Sequence, residues 1–132
     1  MDELKIKSYC LNLPSSVHDY QTDWEADWYL VGDKIFAIIG CDPKGKPIIT
    51  LKCDPYRSEE LRETYNGIIP GYYMNKTHWI SIYFDSNVPD EILENLIFHS
   101  YELVFQKLPK KIQRQIKQEA LENNNTWNGE KI

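Results

Sequence analysis

The chain has 132 residues, 42% of them hydrophobic, and a formal net charge of −5, which suits one domain with a core that needs no disulfide or metal staples. The acidic balance counts against a non-specific polyanion binder, since phosphate affinity comes largely from Lys and Arg, but it leaves room for a local basic surface. The opening MDELKIKSYC is not a signal peptide, no run approaches the ~20 apolar residues of a membrane helix, and Cys10, Cys41 and Cys53 lack C-x-x-C spacing, so a cytoplasmic compartment with reduced thiols is expected.

Residues 2–12 read as a helix. Leu4 or Ile6, then Tyr9 or Cys10, then Leu13 recur near the helical period, and Pro14 ends the element. Ser15 to Glu25 reads as a polar loop. A strand begins around Trp28 in the run DWYLV, a second spans Lys34–Cys41, and a third spans Ile48–Cys53. The turn-rich segment Asp42 to Pro47 makes the last two a hairpin. Folded about Lys44, this hairpin sets Ile39 opposite Ile49, Ala37 opposite Leu51 and Ile35 opposite Cys53, with all six on the core face. Cys41 and Cys53 then lie at opposite ends of the hairpin, where a disulfide is not expected.

Asp54-Pro55 supplies an N-cap and a first-turn proline for a helix that runs to about Tyr65 and stops at Asn66-Gly67. Pro70-Gly71 turns the chain. Tyr72–Met74 and Trp79–Phe84 then form a second hairpin around Asn75-Lys76-Thr77, with Ile80, Ile82 and Phe84 on one face of the latter strand. Val88-Pro89-Asp90-Glu91 opens a long helix whose apolar face carries Leu93, Leu96, Ile97, Val104 and Leu108. Pro109 interrupts it, a last helix reaches about Leu121, and residues 122–132 read as a mobile polar tail after a single domain over 1–121. The order of elements predicts an α+β fold: two layers, a mainly antiparallel five-stranded sheet with helices packed on it.

Three groups of residues are candidates for binding. Both predicted hairpins end in basic tips, Lys44 and Lys46 on the first, Lys76 and His78 on the second, and cationic β-ribbons can straddle a phosphate backbone. Lysines also collect at tips simply because tips are solvated. The run KLPKKIQRQIKQ has no acid. On a helix its Lys110, Arg114 and Lys117 share a face, while Ile112 and Ile116 pack and Lys111 adds to the charge of the first turn. Tyr72 and Tyr73 offer rings on which bases stack, whereas Trp79, a large ring within a strand, is expected to be buried.

Catalytic signals are weak. His18, His78 and His99 have no metal spacing, Ser100 lacks a nucleophile elbow, and no glycine-rich phosphate loop is present. His99 reads as a packed histidine, and Glu59, Glu60 and Glu63 as a solvated helix face. No catalytic residue, metal or cofactor is expected, and the chain is not read as an enzyme.

The stretches GDKIFAIIG, LKCDPYRSEELRE, PGYYMNKTHW and SYELVFQKLPKK resemble the MmcQ/YjbR family, small bacterial proteins described as having a double-wing DNA-binding motif. The resemblance runs from about Leu13 to Lys111, with Asn75 to Trp79 as its most specific part. It implies a fold similar to that of type III secretion chaperones and a cytoplasmic, non-membrane bacterial protein. DNA is the implied partner, with Lys44, Lys46, Lys76, His78, Lys110, Lys111, Arg114 and Lys117 as candidate contacts. The alternative is a protein-interaction or chaperone-like module that binds a protein partner and no nucleic acid.

Overall fold

The computed structural model describes residues 2–122, so the tail expected over 122–132 lies, apart from Glu122, outside the described residues. The elements run α1 (Glu3–Leu11), β1 (Val17–Gln21), β2 (Ala26–Val31), β3 (Lys34–Cys41), β4 (Pro47–Lys52), α2 (Pro55–Thr64), β5 (Ile68–Pro70), β6 (Trp79–Tyr83), α3 (Asp90–Phe105) and α4 (Lys110–Glu122). The strands form one antiparallel sheet of six in the order β1-β2-β3-β4-β6-β5.

The helices begin where side chains satisfy their first amides. The Asp2 carboxylate accepts from Leu4 N at 3.0 Å, and that of Asp54 from Tyr56 N at 2.9 Å. In α1 the helical period resolves to Ile6 and Cys10, both buried, while Leu4 points to solvent. On α3, Leu93, Leu96, Ile97 and Val104 pack onto Ala37, Ile39, Ile49, Leu51, Ile80 and Ile82 of the sheet, each fully buried aliphatic chain contributing roughly 1.5–3 kcal/mol. Tyr101 is fully buried, meets the Phe36 ring edge-on with centroids 5.3 Å apart, and donates to Pro14 O at 2.7 Å.

Three features differ from the sequence reading. The polar segment after Pro14 contains β1, which pairs with β2 from Val17↔Leu30 to Gln21↔Ala26. It is an edge strand with its side chains largely exposed, so it lacks the apolar alternation that marks half-buried strands. The strand before β6 is Ile68–Pro70, not Tyr72–Met74. Ile68 enters the core opposite Ile82, and the chain leaves the sheet at Gly71, where an added Cβ would fall 2.5 Å from that of Trp79.

The third difference is at Ile35. The β3–β4 register is as expected, Ala37↔Leu51 and Ile39↔Ile49. On the other side of β3, however, Tyr29 pairs with Ala37 and Leu30 with Ile35, leaving Phe36 as an unpaired bulge residue. The bulge turns Phe36 into the core and takes Ile35 out of it. The neighbouring β2–β3 turn is Gly32-Asp33, both with positive φ (55° and 65°), as a two-residue hairpin turn of type I′ requires.

The face of the sheet away from the helices is also closed at its centre. Ile38, Ile48, Thr50 and Ser81 are all 0% exposed, and the Thr50 and Ser81 hydroxyls bond at 2.6 Å. Residues 71–78 fold back over this face. Tyr72 N donates to Ser81 Oγ at 2.9 Å, and Tyr73 OH donates to Cys41 O at 3.0 Å.

Candidate functional site

The two basic tips lie at opposite ends of the sheet. The β3–β4 turn sits beside the Ile48↔Tyr83 end of β4, whereas residues 71–78 enter β6 beside Lys52↔Trp79. Those pairs are four residue steps apart, about 13 Å of strand. At the first tip the Asp42 carboxylate accepts from Lys44 N and Lys46 N, both at 2.9 Å, and from Tyr83 OH at 2.8 Å. The backbone bond from Lys46 is the foremost cause holding that carboxyl below its ordinary range. Lys46 Nζ lies 3.4 Å from Asp85 and 5.8 Å from the centre of the Tyr83 ring. This tip therefore carries Asp42 and Asp85 beside Lys44 and Lys46.

The second connection is a folded loop rather than a projecting ribbon. Asn75 Oδ1 accepts from Thr77 N at 2.8 Å and His78 N at 3.3 Å, and His78 O accepts from Cys53 N at 2.8 Å. The Asn75 side chain thus makes the turn, leaving the Lys76 and His78 side chains exposed near the end of β4. Tyr73 is occupied: its ring stacks on Trp24 at 5.3 Å, and Trp24 meets Trp28 edge-on at 5.1 Å. Tyr72 stands edge-on to Tyr73 and remains 42% exposed. Trp79 is buried as expected, on the face opposite the helices.

On α4, Ile116 and Ala120 are buried, Ile112 packs against the core, and Lys110, Lys111, Arg114 and Lys117 lie on the exposed side. The start of this helix is fixed by Gln113, which the sequence reading passed over. Its Nε2 donates to Leu108 O at 2.9 Å and Gln106 O at 3.2 Å, capping the carbonyl end of α3.

The site that the sequence did not reveal is a cleft of about 390 Å³ at the Lys52–Trp79 end of the sheet. Its apolar wall comprises Ile35, Met74, Trp79, Val104 and Leu108, and around it stand Lys34, Lys52 and Lys107 with the single carboxylate of Asp33. Three local devices build it. The Phe36 bulge delivers Ile35. Gly32 admits Leu108, whose methyl carbons would lie 2.7 Å from a Cβ there. The Ser100 hydroxyl, accepting from Lys52 N at 2.9 Å and donating to Phe36 O at 2.6 Å, fixes the backbone that carries Lys52.

Burial first, and the charge of Lys107 second, hold the Lys52 ammonium below the ordinary lysine range. Among the described residues no carboxylate forms an ion pair with Lys34, Lys52 or Lys107. The sequence carries no local signal for this trio, because its members come from the start of β3, the end of β4 and the α3–α4 turn.

No group of His, Cys, Asp and Glu among the described residues is arranged to hold a metal ion, and no described helix is long and apolar enough to cross a membrane. Cys10, Cys41 and Cys53 are free thiols, with burial pushing Cys10 up to about 12 and Cys53 up to about 11.

A family model described as YjbR matches residues 11–103. The chain is 39% identical over 93 residues to the uncharacterised protein YbdF of Escherichia coli O157:H7, covering 70% of this chain and 75% of that protein. It is 29% identical over 106 residues to the uncharacterised protein YjbR of Escherichia coli K12, covering 80% of this chain and 89% of that one. The crystal structure of protein DR2400 of Deinococcus radiodurans is similar with a TM-score of 0.76 at 33% identity, covering 85% of each chain. The matched residues include Lys34, Lys52 and the 71–78 loop, while Lys107 and the cations of α4 lie beyond them.

Proposed function

We propose, starting from the fact that the chain belongs to the YjbR family, that it binds nucleic acid through the lysine-lined end of its sheet rather than through paired ribbon tips. The observation that carries this reading is the convergence of Lys34, Lys52 and Lys107 on one cleft without an ion-paired carboxylate among the described residues. Like charges gathered in this way repel, and an incoming phosphate relieves the repulsion. Lys76 and His78 flank the cleft from the loop that supplies Met74, and Lys110 and Lys111 follow Lys107 across the α3–α4 turn. Together Lys76, Lys110 and Lys111 add positive charge beside the cleft, to which a polymer of phosphates makes further contacts. Lys44 and Lys46, at the far end beside Asp42 and Asp85, contribute little.

The test is anisotropy of labelled duplex and single-stranded DNA over a salt series with the full chain. Phosphate contacts give a log–log slope of about −0.9 per contact on duplex and about −0.7 on single strands. Lys107→Gln and Lys52→Met each weaken binding and lower the slope by roughly one contact, while Lys44→Gln does neither. Absence of binding at low salt, or sensitivity to Lys44 and Lys46 alone, would overturn this reading.

A second reading, a protein-interaction surface, is favoured by the aromatic patch on the outer face, where Trp24 and Tyr72 are 40% and 42% exposed. Its signature is a protein partner whose binding is lost on Trp24→Ala and Tyr72→Ala and is indifferent to Lys107→Gln.

A further inference from the structure

The nucleic-acid reading uses the lysines of the cleft and leaves its apolar wall without a role. We propose that this cleft takes a diffusible organophosphate: a phosphate head held by Lys34, Lys52 and Lys107, and a compact apolar body seated against Met74, Trp79 and Leu108. Its volume, about 390 Å³, falls within the roughly 300–1,000 Å³ of small-ligand sites, and such sites combine a mostly apolar lining with a few placed polar groups. The arrangement here has that composition, with the cations gathered around an apolar floor.

Charge complementarity selects the head. Three ammonium groups against one carboxylate, Asp33, leave an excess of two positive charges, 3 − 1 = 2, which a phosphate dianion matches better than a carboxylate monoanion. Lysines serve such heads as adjustable point charges rather than as a fixed fork. Backbone placement argues that the cleft is built rather than incidental. Lys52 pairs directly with Trp79 across β4 and β6, so its stem and the indole lie on the same face of the sheet. The Ser100 hydroxyl fixes the amide of Lys52, and Gly32 makes room for Leu108. Lys52 is part-buried, so its charge is less screened than that of a tip lysine.

The experiment is a heteronuclear NMR and calorimetric titration of the full chain with 1-naphthyl phosphate, with 1-naphthol and inorganic phosphate as the two halves of the probe. Saturable binding is expected, with shifts centred on the Trp79 indole N–H and the Met74 and Leu108 methyls, and with either half at least ten-fold weaker than the whole. Lys107→Gln and Lys52→Met each weaken it five-fold or more, and Lys44→Gln leaves it unchanged. Lys107 is exposed, so its variant tests the cleft without altering any buried packing. Inorganic phosphate binding as tightly as the whole probe, shifts centred elsewhere, or indifference to Lys107→Gln overturns the proposal. The two readings fail separately. Saturation by 1-naphthyl phosphate in a chain that ignores DNA removes the nucleic-acid reading alone, and salt-sensitive DNA binding without probe binding removes this one alone.

Discussion

The hydroxyl of Ser100 donates to the carbonyl of Phe36 at 2.6 Å, and the same oxygen accepts from Lys52 N at 2.9 Å. Phe36 and Lys52 stand one step beyond the Ala37↔Leu51 pair, where the bulge interrupts the sheet. A helix side chain thus completes a connection that the ladder does not make directly. Ser100→Ala leaves both a backbone N–H and a C=O without this partner, at a cost of about 2–3 kcal/mol. Urea denaturation measures it. A loss below about 0.5 kcal/mol would show that the relay does not hold these strands.

Lys52→Met is expected to stabilise the fold. The folded-state pKa of Lys52 lies below its unfolded value, through burial first and Lys107 second. Between the two values the unfolded chain binds more protons, so stability rises with pH through that window. At neutral pH the penalty stands in full. Methionine keeps the apolar stem and removes the charge, for a gain of about 0.5 kcal/mol at pH 7 that fades as pH approaches ~10.4, where free lysine loses its proton. Equal or lower stability at pH 7 would contradict the account of Lys52 as a part-buried charge facing Lys107.

Gly40 and Tyr73 are coupled. A Cβ on Gly40 would fall 2.5 Å from the Tyr73 hydroxyl oxygen and 3.1 Å from the Ala26 Cβ, so Gly40→Ala displaces Tyr73 from its bond to Cys41 O. The expected cost is about 1–3 kcal/mol, and Tyr73→Phe alone costs about 1 kcal/mol. The double variant is more stable than the sum of the two losses, because the phenylalanine removes the clashing atom. Strict additivity would mean that the loop does not pack over Gly40.

His99 gives the fold an acid-side dependence. Burial first, and the charge of Arg57 next, hold its imidazole below the ordinary histidine range, and its Nε2 is buried without a hydrogen-bond partner among the described residues. As pH falls below about 6.5 the unfolded chain takes up this proton first, so the contribution of His99 is level above that value and declines beneath it. His99→Leu flattens the decline that sets in below about pH 6.5 in denaturation midpoints. An unchanged slope would assign the effect to another group.

The sequence showed what depends on neighbours in the chain. Asp54 announces its helix, the spacing about Lys44 sets Ala37 against Leu51, and the apolar stripe of α3 is evident. It concealed what depends on distant segments. The Phe36 bulge is visible only against β2, and β1 has exposed side chains because its backbone, not its surface, holds it in place. The tips read as a cooperating pair because the path of residues 71–78 is set by contacts with Ser81, Cys41 and Cys53. Lys34 and Lys52 went unnoticed for the same reason, and Lys107 read only as the start of a basic run, since the three become neighbours only after the sheet and α3 have met.

The two margins of the sheet are unequal. β5 has three residues and ends in Pro70, which has no N–H to offer, whereas β1 presents five residues. Among the described residues, the margin with room for a further strand is therefore that of β1. Two copies that meet there about a twofold axis exhaust the growth point in joining, so association by this route closes at a dimer and does not propagate into a fibre.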